Sequence, residues 1–251
     1  MGDGRRYSAC RTLGYSLALM IADGTATAAP LPELHVGECL SAVFGCSEEL
    51  AEQIMGRGRV RHYEMRRTIV NRGDHIATLF VIVAGRAHAL VYSIEGQAVL
   101  LHEYLRGDLF GPVTSPYSAI HDADVVAVEE VAAFLLDGVV LALLAEQHAC
   151  IGLALLKFMV ERLQQTSARM YEHAALSSVG RVHAELLRQA RQSADLTIRP
   201  APVLADLALR VSTTRETASR AVNALERRGI IRRAADSLVV VAPHRLEELI
   251  L

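Results

Sequence analysis

The sequence predicts an α+β chain in three parts: a β-rich N-terminal half, one long helix, and a small helical unit closed by a hairpin. Three observations predict it. Between residues 60 and 136, short β-branched and aromatic runs alternate with glycine-containing turns at intervals of roughly eight to twelve residues. Residues 149–177 hold no proline and a single glycine, Gly152, and their apolar positions recur by fours and threes. After residue 180, two helical patterns flank a three-residue turn and are followed by two short apolar runs. With 251 residues and 51% hydrophobic content, the chain has material for more than one packed core.

In the β half, residues 68–70 lead into the turn Asn71-Arg72-Gly73-Asp74. The β-branched run 79–83 closes at Ala84-Gly85, residues 87–92 form the next strand, and Glu95-Gly96 marks a hairpin. Residues 99–104 follow and end at Arg106-Gly107-Asp108. Then come Gly111-Pro112, Ser115-Pro116 and a strand over 123–128. Short strands so regularly punctuated suit a sandwich or barrel.

In the long helix, Ala149, Leu153, Leu156, Val160, Leu163, Ser167, Met170 and Ala174 alternate by four and three, which is a heptad seam. A lone helix with such a stripe needs a partner. A second copy of the chain is therefore expected across Leu153, Leu156, Val160, Leu163, Ser167 and Met170, with Ser167 as the polar member. Leu155, Phe158 and Met159 lie on a second face and are expected to pack on the β half.

Residues 181–191 read as an amphipathic helix, and Thr197-Ile198 as a short strand ahead of Pro200 and Pro202. Residues 203–211 form a helix, Ser212-Thr213-Thr214 a turn, and 215–228 a second helix stopped by Gly229. Residues 230–233 and 238–241 make a two-stranded wing, which completes the plan of a winged helix-turn-helix. Thr214 is placed to cap the second helix. Its first turns then present Arg215, Glu216, Ser219 and Arg220, while Ala218, Val222 and Leu225 face inward. Arginine donates a bidentate pair to guanine, and glutamate accepts from cytosine N4. Phosphate repels a carboxylate, so Glu216 standing among arginines points to base edges. From residue 180 to 242 there are eleven Arg against six Asp or Glu, on a chain of formal charge −2. A basic C-terminal unit on an acidic remainder fits one domain that meets phosphate and another that does not. Double-stranded DNA is the predicted partner.

The stretch Thr214-Arg215-Glu216-Thr217-Ala218-Ser219-Arg220, with Leu225-Glu226 and Gly229-Ile230-Ile231, resembles the recognition-helix signature of the cyclic-AMP receptor protein/FNR superfamily of bacterial transcription regulators. The turns Asn71-Arg72-Gly73-Asp74 and Tyr104-Leu105-Arg106-Gly107-Asp108 resemble those of its cyclic-nucleotide-binding-type β-roll. The segments 163–167 and 179–182 are also similar, so the resemblance runs from about residue 39 to residue 241. It implies a β-roll (jelly roll) sensor domain over 31–145, a dimerisation helix over 146–177 and a winged helix-turn-helix over 178–251; residues 1–30 are separately expected to form a disordered tail. It also implies base contacts by Arg215, Glu216 and Arg220, with Thr214 and Ser219 beside them, on an inverted repeat whose half-sites contain TGA, of either the TGTGA or the TTGA type. The glycine usual at the bend is here Ser212.

In that superfamily a Gly-Glu pair takes the ribose of a cyclic nucleotide and an Arg-Ser pair grips its phosphate. Here Gly111-Pro112 and Tyr117-Ser118 stand at those places, so the carboxylate and the guanidinium are both missing. Arg106 sits before the turn and is a conceivable substitute cation. Thr166 and Ser167 match the dimer-helix pair that contacts adenine, although small polar residues near a hinge have the same appearance. The expectation is a different small-molecule effector, with cyclic AMP in its usual mode disfavoured. A cyclic-nucleotide regulator with an altered pocket, or a constitutively DNA-competent one, are the alternatives. Neither haem nor an iron–sulfur cluster is predicted: Cys10, Cys39 and Cys46 are too dispersed to hold a cluster, and the ten histidines call for no special explanation. With Cys150 these cysteines read as reduced thiols of a cytoplasmic protein, and no zinc spacing is present. The apolar run 13–22 after Arg5, Arg6 and Arg11 imitates an export signal but is too short to span a bilayer, so no membrane association is predicted; a tail or a start at Met20 explains it better. No nucleophile–base pair, phosphate loop or metal spacing points to an enzyme. RNA polymerase becomes a partner if the regulator activates.

Overall fold

The computed structural model describes residues 35–250 except 95, 97 and 113–118, so the tail at 1–30, Cys10, Tyr117 and Ser118 lie outside the described residues. The described chain divides into two compact units that part within the long helix, between Leu163 and Gln164, with the short stretch 96–99 grouped with the C-terminal one.

The first unit opens with two short helices, α1 (Val36–Phe44) and α2 (Glu48–Met55), the second capped by Ser47, whose hydroxyl accepts from Leu50 N. Ten strands follow: β1 (Arg59–Tyr63), β2 (Thr68–Val70), β3 (His75–Ile76), β4 (Thr78–Ala84), β5 (Ala87–Tyr92), β6 (Ala98–Tyr104), β7 (Leu109–Phe110), β8 (Ala119–Ile120), β9 (Asp124–Ala127) and β10 (Val131–Asp137). They make two four-stranded sheets, ordered β1-β10-β4-β7 and β2-β9-β5-β6, with β3 paired to β8. The two Gly-Asp turns are chemically alike. Asp74 Oδ2 accepts from Asn71 N at 3.0 Å, and Asp108 Oδ2 accepts from Leu105 N at 2.8 Å, each carboxylate closing the turn three residues behind it.

Strand β4 explains how the roll holds together. Phe80 and Ile82 face an aromatic core with Tyr63, Tyr104 and Phe110. Leu79, Val81 and Val83 face the opposite way, toward Leu40, Phe44, Leu141, Ile151 and Leu155 of the helices. Strand β10 divides similarly, with Val131, Ala133 and Leu135 on one side and Phe134 and Leu136 on the other. Both strands are buried on both faces, which removes the polar alternation an exposed sheet would show.

Asp137 ends β10 and caps α3 (Gly138–Gln147), its carboxylate accepting from Val139 N at 2.8 Å. The chain bends by 116° at His148 and enters the long helix α4 (Ala149–Ala175). At about 100° per residue, Ile151, Leu155 and Phe158 share one face, and these pack on the roll core. The expectation that Met159 joins them is corrected: it is 43% exposed. One further step of ~100° past Phe158 turns it toward the heptad seam. Leu153, Leu156, Val160, Leu163 and Met170 are all exposed, from 46% to 69%, along the opposite side of the helix, and Ser167 is exposed among them.

The second unit carries α5 (Ser178–Ala190), β11 (Thr197–Ile198), α6 (Leu204–Arg210), α7 (Arg215–Arg227), β12 (Ile231–Arg233), β13 (Leu238–Val240) and α8 (Pro243–Glu247). The wing is three-stranded, because β11 joins the hairpin in the order β11-β13-β12. Its core gathers Val182, Leu186, Leu207, Val222, Leu225, Ile230 and Leu246. Among the described residues no single helix is long and apolar enough to cross a membrane.

Candidate nucleic-acid interface and effector region

Helix α7 begins where its sequence says. Thr214 Oγ1 accepts from Thr217 N at 3.2 Å, which satisfies one of the orphan donors of the first turn. Gly229 follows the C-cap with φ +66°, a left-handed residue that lets the chain leave the helix. Ala218, Ala221, Val222 and Leu225 are buried, and full burial of a side chain the size of Leu225 contributes about 1.5–3 kcal/mol. The other face is open: Arg215, Glu216 and Arg220 are exposed and Ser219 partly so. Arg220 Nη2 donates to Thr217 Oγ1 at 3.3 Å. The Glu216 carboxyl is held below the usual range by its own backbone N–H, then by the Thr214 side chain and by Arg215 and Arg220. It therefore remains a pure acceptor. The helix thus offers two guanidinium donors and one carboxylate acceptor on one exposed surface.

The bend before α7 is built from Val211 and Ser212, and Ser212 takes φ +49°. The wing is braced on α7: Arg233 Nε donates to Glu226 Oε2 at 2.9 Å, and its Nη2 reaches Asn223. Arg215, Arg227, Arg228 and Arg232 enter no ion pair among the described residues.

In the roll, Gly111 has φ +116°, and a Cβ there would lie 2.5 Å from Thr78 O, so the position admits only glycine. Pro112 beside it is buried. Arg106 is exposed and lies against the buried Cys39 thiol, whose pKa burial raises and Arg106 partly lowers. The guanidinium that does reach the aromatic core comes from α4 and was not singled out by the sequence. Arg162 Cζ lies 5.2 Å from the Tyr104 ring centroid, and its Nη2 donates to the Tyr104 hydroxyl at 3.2 Å. His102 meets Tyr104 edge-on at 4.7 Å, and Phe110 stacks on Phe80. Arg162 continues the spacing of Ile151, Leu155 and Phe158, the face that packs on the roll, and that periodicity could have flagged it. A separate cavity of about 370 Å³ opens beside Gly107-Asp108, lined also by Cys150, Lys157 and Glu161. Thr166 and Ser167 are exposed on α4 in the other unit.

Residues 60–148 match the cyclic nucleotide-binding domain family, and residues 180–249 match the Crp-like helix-turn-helix domain. Between them the two matches take in well over half of the chain. The chain belongs to the cyclic-AMP receptor protein/FNR superfamily. It is a DNA-binding transcription regulator of that type. No curated protein sequence matches it. Its fold is that of a CooA mutant from Carboxydothermus hydrogenoformans, at 17% identity and TM-score 0.72, over 90% of this chain and all of that one. FixK2 from Bradyrhizobium japonicum is similar at 20% identity and TM-score 0.65, covering 76% of this chain and 96% of that one. The c-di-GMP responsive regulator CLP of Xanthomonas campestris aligns at 16% identity and TM-score 0.64, over 77% and 99% of the two chains.

Proposed function

We propose that the chain acts as a cytoplasmic homodimer that binds an inverted repeat with TGA-containing half-sites, switched by an effector other than cyclic AMP in its usual mode. The exposed Arg215–Glu216–Arg220 face of α7, opposite a fully buried face, carries this reading. Arg215 and Arg220 donate to guanine, Glu216 accepts from cytosine, and Thr214 and Ser219 support phosphate or base contacts. The exposed seam through Leu163 and Met170 supports pairing of two α4 helices, which would set two recognition helices ~34 Å apart on one face of the duplex. An effector acting in the roll would shift an equilibrium between DNA-competent and incompetent arrangements. Pro112 supplies neither the carboxylate nor the N–H that would hold a ribose in the usual way.

The test is a fluorescence-anisotropy titration on a TGA-containing inverted repeat and a scrambled control at fixed salt. Its arms are no nucleotide, cyclic AMP, cyclic GMP, and the c-di-GMP to which the Xanthomonas campestris regulator responds. Specific binding in the nucleotide-free arm supports the reading, with a constitutive or otherwise triggered switch. Binding that requires cyclic AMP overturns the effector part alone. An RNA polymerase contact follows only if target transcription rises on binding.

A further inference from the structure

Arg181, in the first turn of α5, spends its guanidinium on peptide carbonyls from two separate segments. Nε donates to Val211 O at 2.9 Å and Nη2 to Ser212 O at 3.2 Å, both in the bend of the helix-turn-helix. Nη1 donates to Leu176 O at 3.1 Å, the residue after the last turn of α4. A fourth bond, from Nη2 to Ser178 Oγ at 3.4 Å, fixes the group against its own helix. Val211 is the C-cap of α6 and Leu176 follows the end of α4, so one cation neutralises the negative ends of two helices at once. The carbonyl of Ser212 belongs to the residue at φ +49°, so Arg181 also holds the strained peptide in place. A second tie runs alongside, from Arg188 to Glu172 of α4 and to Glu185.

We propose that Arg181 is the positioning residue that fixes the orientation of the recognition helix against the end of the dimerisation helix, and thereby selects the half-site spacing of the operator. This rests on the dimeric, inverted-repeat reading above. A planar fork that reaches three carbonyls cannot be replaced by lysine, whose single ammonium has no comparable geometry. Loss of the fork leaves α7 folded, because its cap and core are independent of Arg181, but frees its direction relative to α4.

The experiment titrates full-length wild type, Arg181→Ala and Arg181→Lys against inverted repeats with the spacer lengthened or shortened by one and two base pairs. A single half-site duplex is included, and thermal melts confirm folding. Wild type is expected to favour one spacing by ~10-fold or more. Both variants are expected to keep wild-type affinity for the single half-site while the spacing preference falls to about twofold. Arg181→Lys keeps the charge and serves if the alanine variant fails to fold. A lowered melting temperature with undiminished spacing preference in the folded variant shows a merely structural arginine and overturns the proposal. Absence of specific binding by the wild type to any spacing strikes the functional reading instead and removes the basis for this one.

Discussion

Ser212 occupies a left-handed conformation that favours glycine, and its carbonyl is pinned by Arg181. A side chain at such a backbone position costs about 1 kcal/mol or more. Ser212→Gly is therefore expected to raise the melting temperature of the winged-helix unit by a few degrees. An unchanged or lowered midpoint would show that the serine gains something else at the bend. Arg220 stands at the other end of the same logic, since its partners in the free protein are few and its guanidinium is exposed. Arg220→Ala is expected to weaken operator binding by ~1–3 kcal/mol while leaving self-association by sedimentation intact. Undiminished affinity for the inverted repeat would sink the assignment of α7 as the reading helix.

At the scale of elements, α7 was legible because its ends carry chemistry. Thr214 caps one end, Gly229 leaves at the other, and the apolar face recurs at helical period. Strand β5 and the strand at 197–198 fall at the residues the sequence reading gives them, 87–92 and 197–198. The sequence reading ends the β-rich stretch at residue 136, where β10 gives way to helix α3, but does not assign either element individually. Residues 131–145 run apolar almost without break, and a strand buried on both faces shows no alternation to set it apart from the helix after it. Asp137, the cap between them, was the available signal. Helices α1 and α2 are short and held by burial against the roll, and the Ser47 cap with Glu48 and Glu49 in the first turn was the available signal for α2. Within α5, His183 is buried, and burial lowers its pKa from the ordinary 6.5, with Leu249 O opposing and Arg228 adding to the effect. The unfolded chain then binds a proton that the folded one refuses. Stability from this source is whole above about pH 6.5 and is lost as the pH falls toward the folded value. Melts between pH 8 and 5.5 should show this acid loss, and His183→Gln should flatten it; an equal slope in the variant would assign the loss elsewhere.

For the whole molecule, charge is divided by task. The C-terminal region holds eleven Arg against six acidic residues between 180 and 242, yet several are engaged internally: Arg181 at the bend, Arg188 and Arg191 in ion pairs, Arg233 on the wing. Net charge therefore overstates the cations offered to phosphate. Arg232, exposed on β12, is among those that remain. Arg232→Ala is expected to weaken binding to operator and scrambled DNA alike and to lower the slope of log affinity against log salt by ~1. A loss confined to the operator would make it a base-reading residue.

The brace from Arg233 to Glu226 and Asn223 has a thermodynamic reading as well. A wing already fastened to the helix beside it has surrendered its ordering entropy before any duplex arrives. Association then draws little further heat capacity from the protein's own folding, and what the calorimeter records belongs to released counterions, displaced water and the deformability of the DNA.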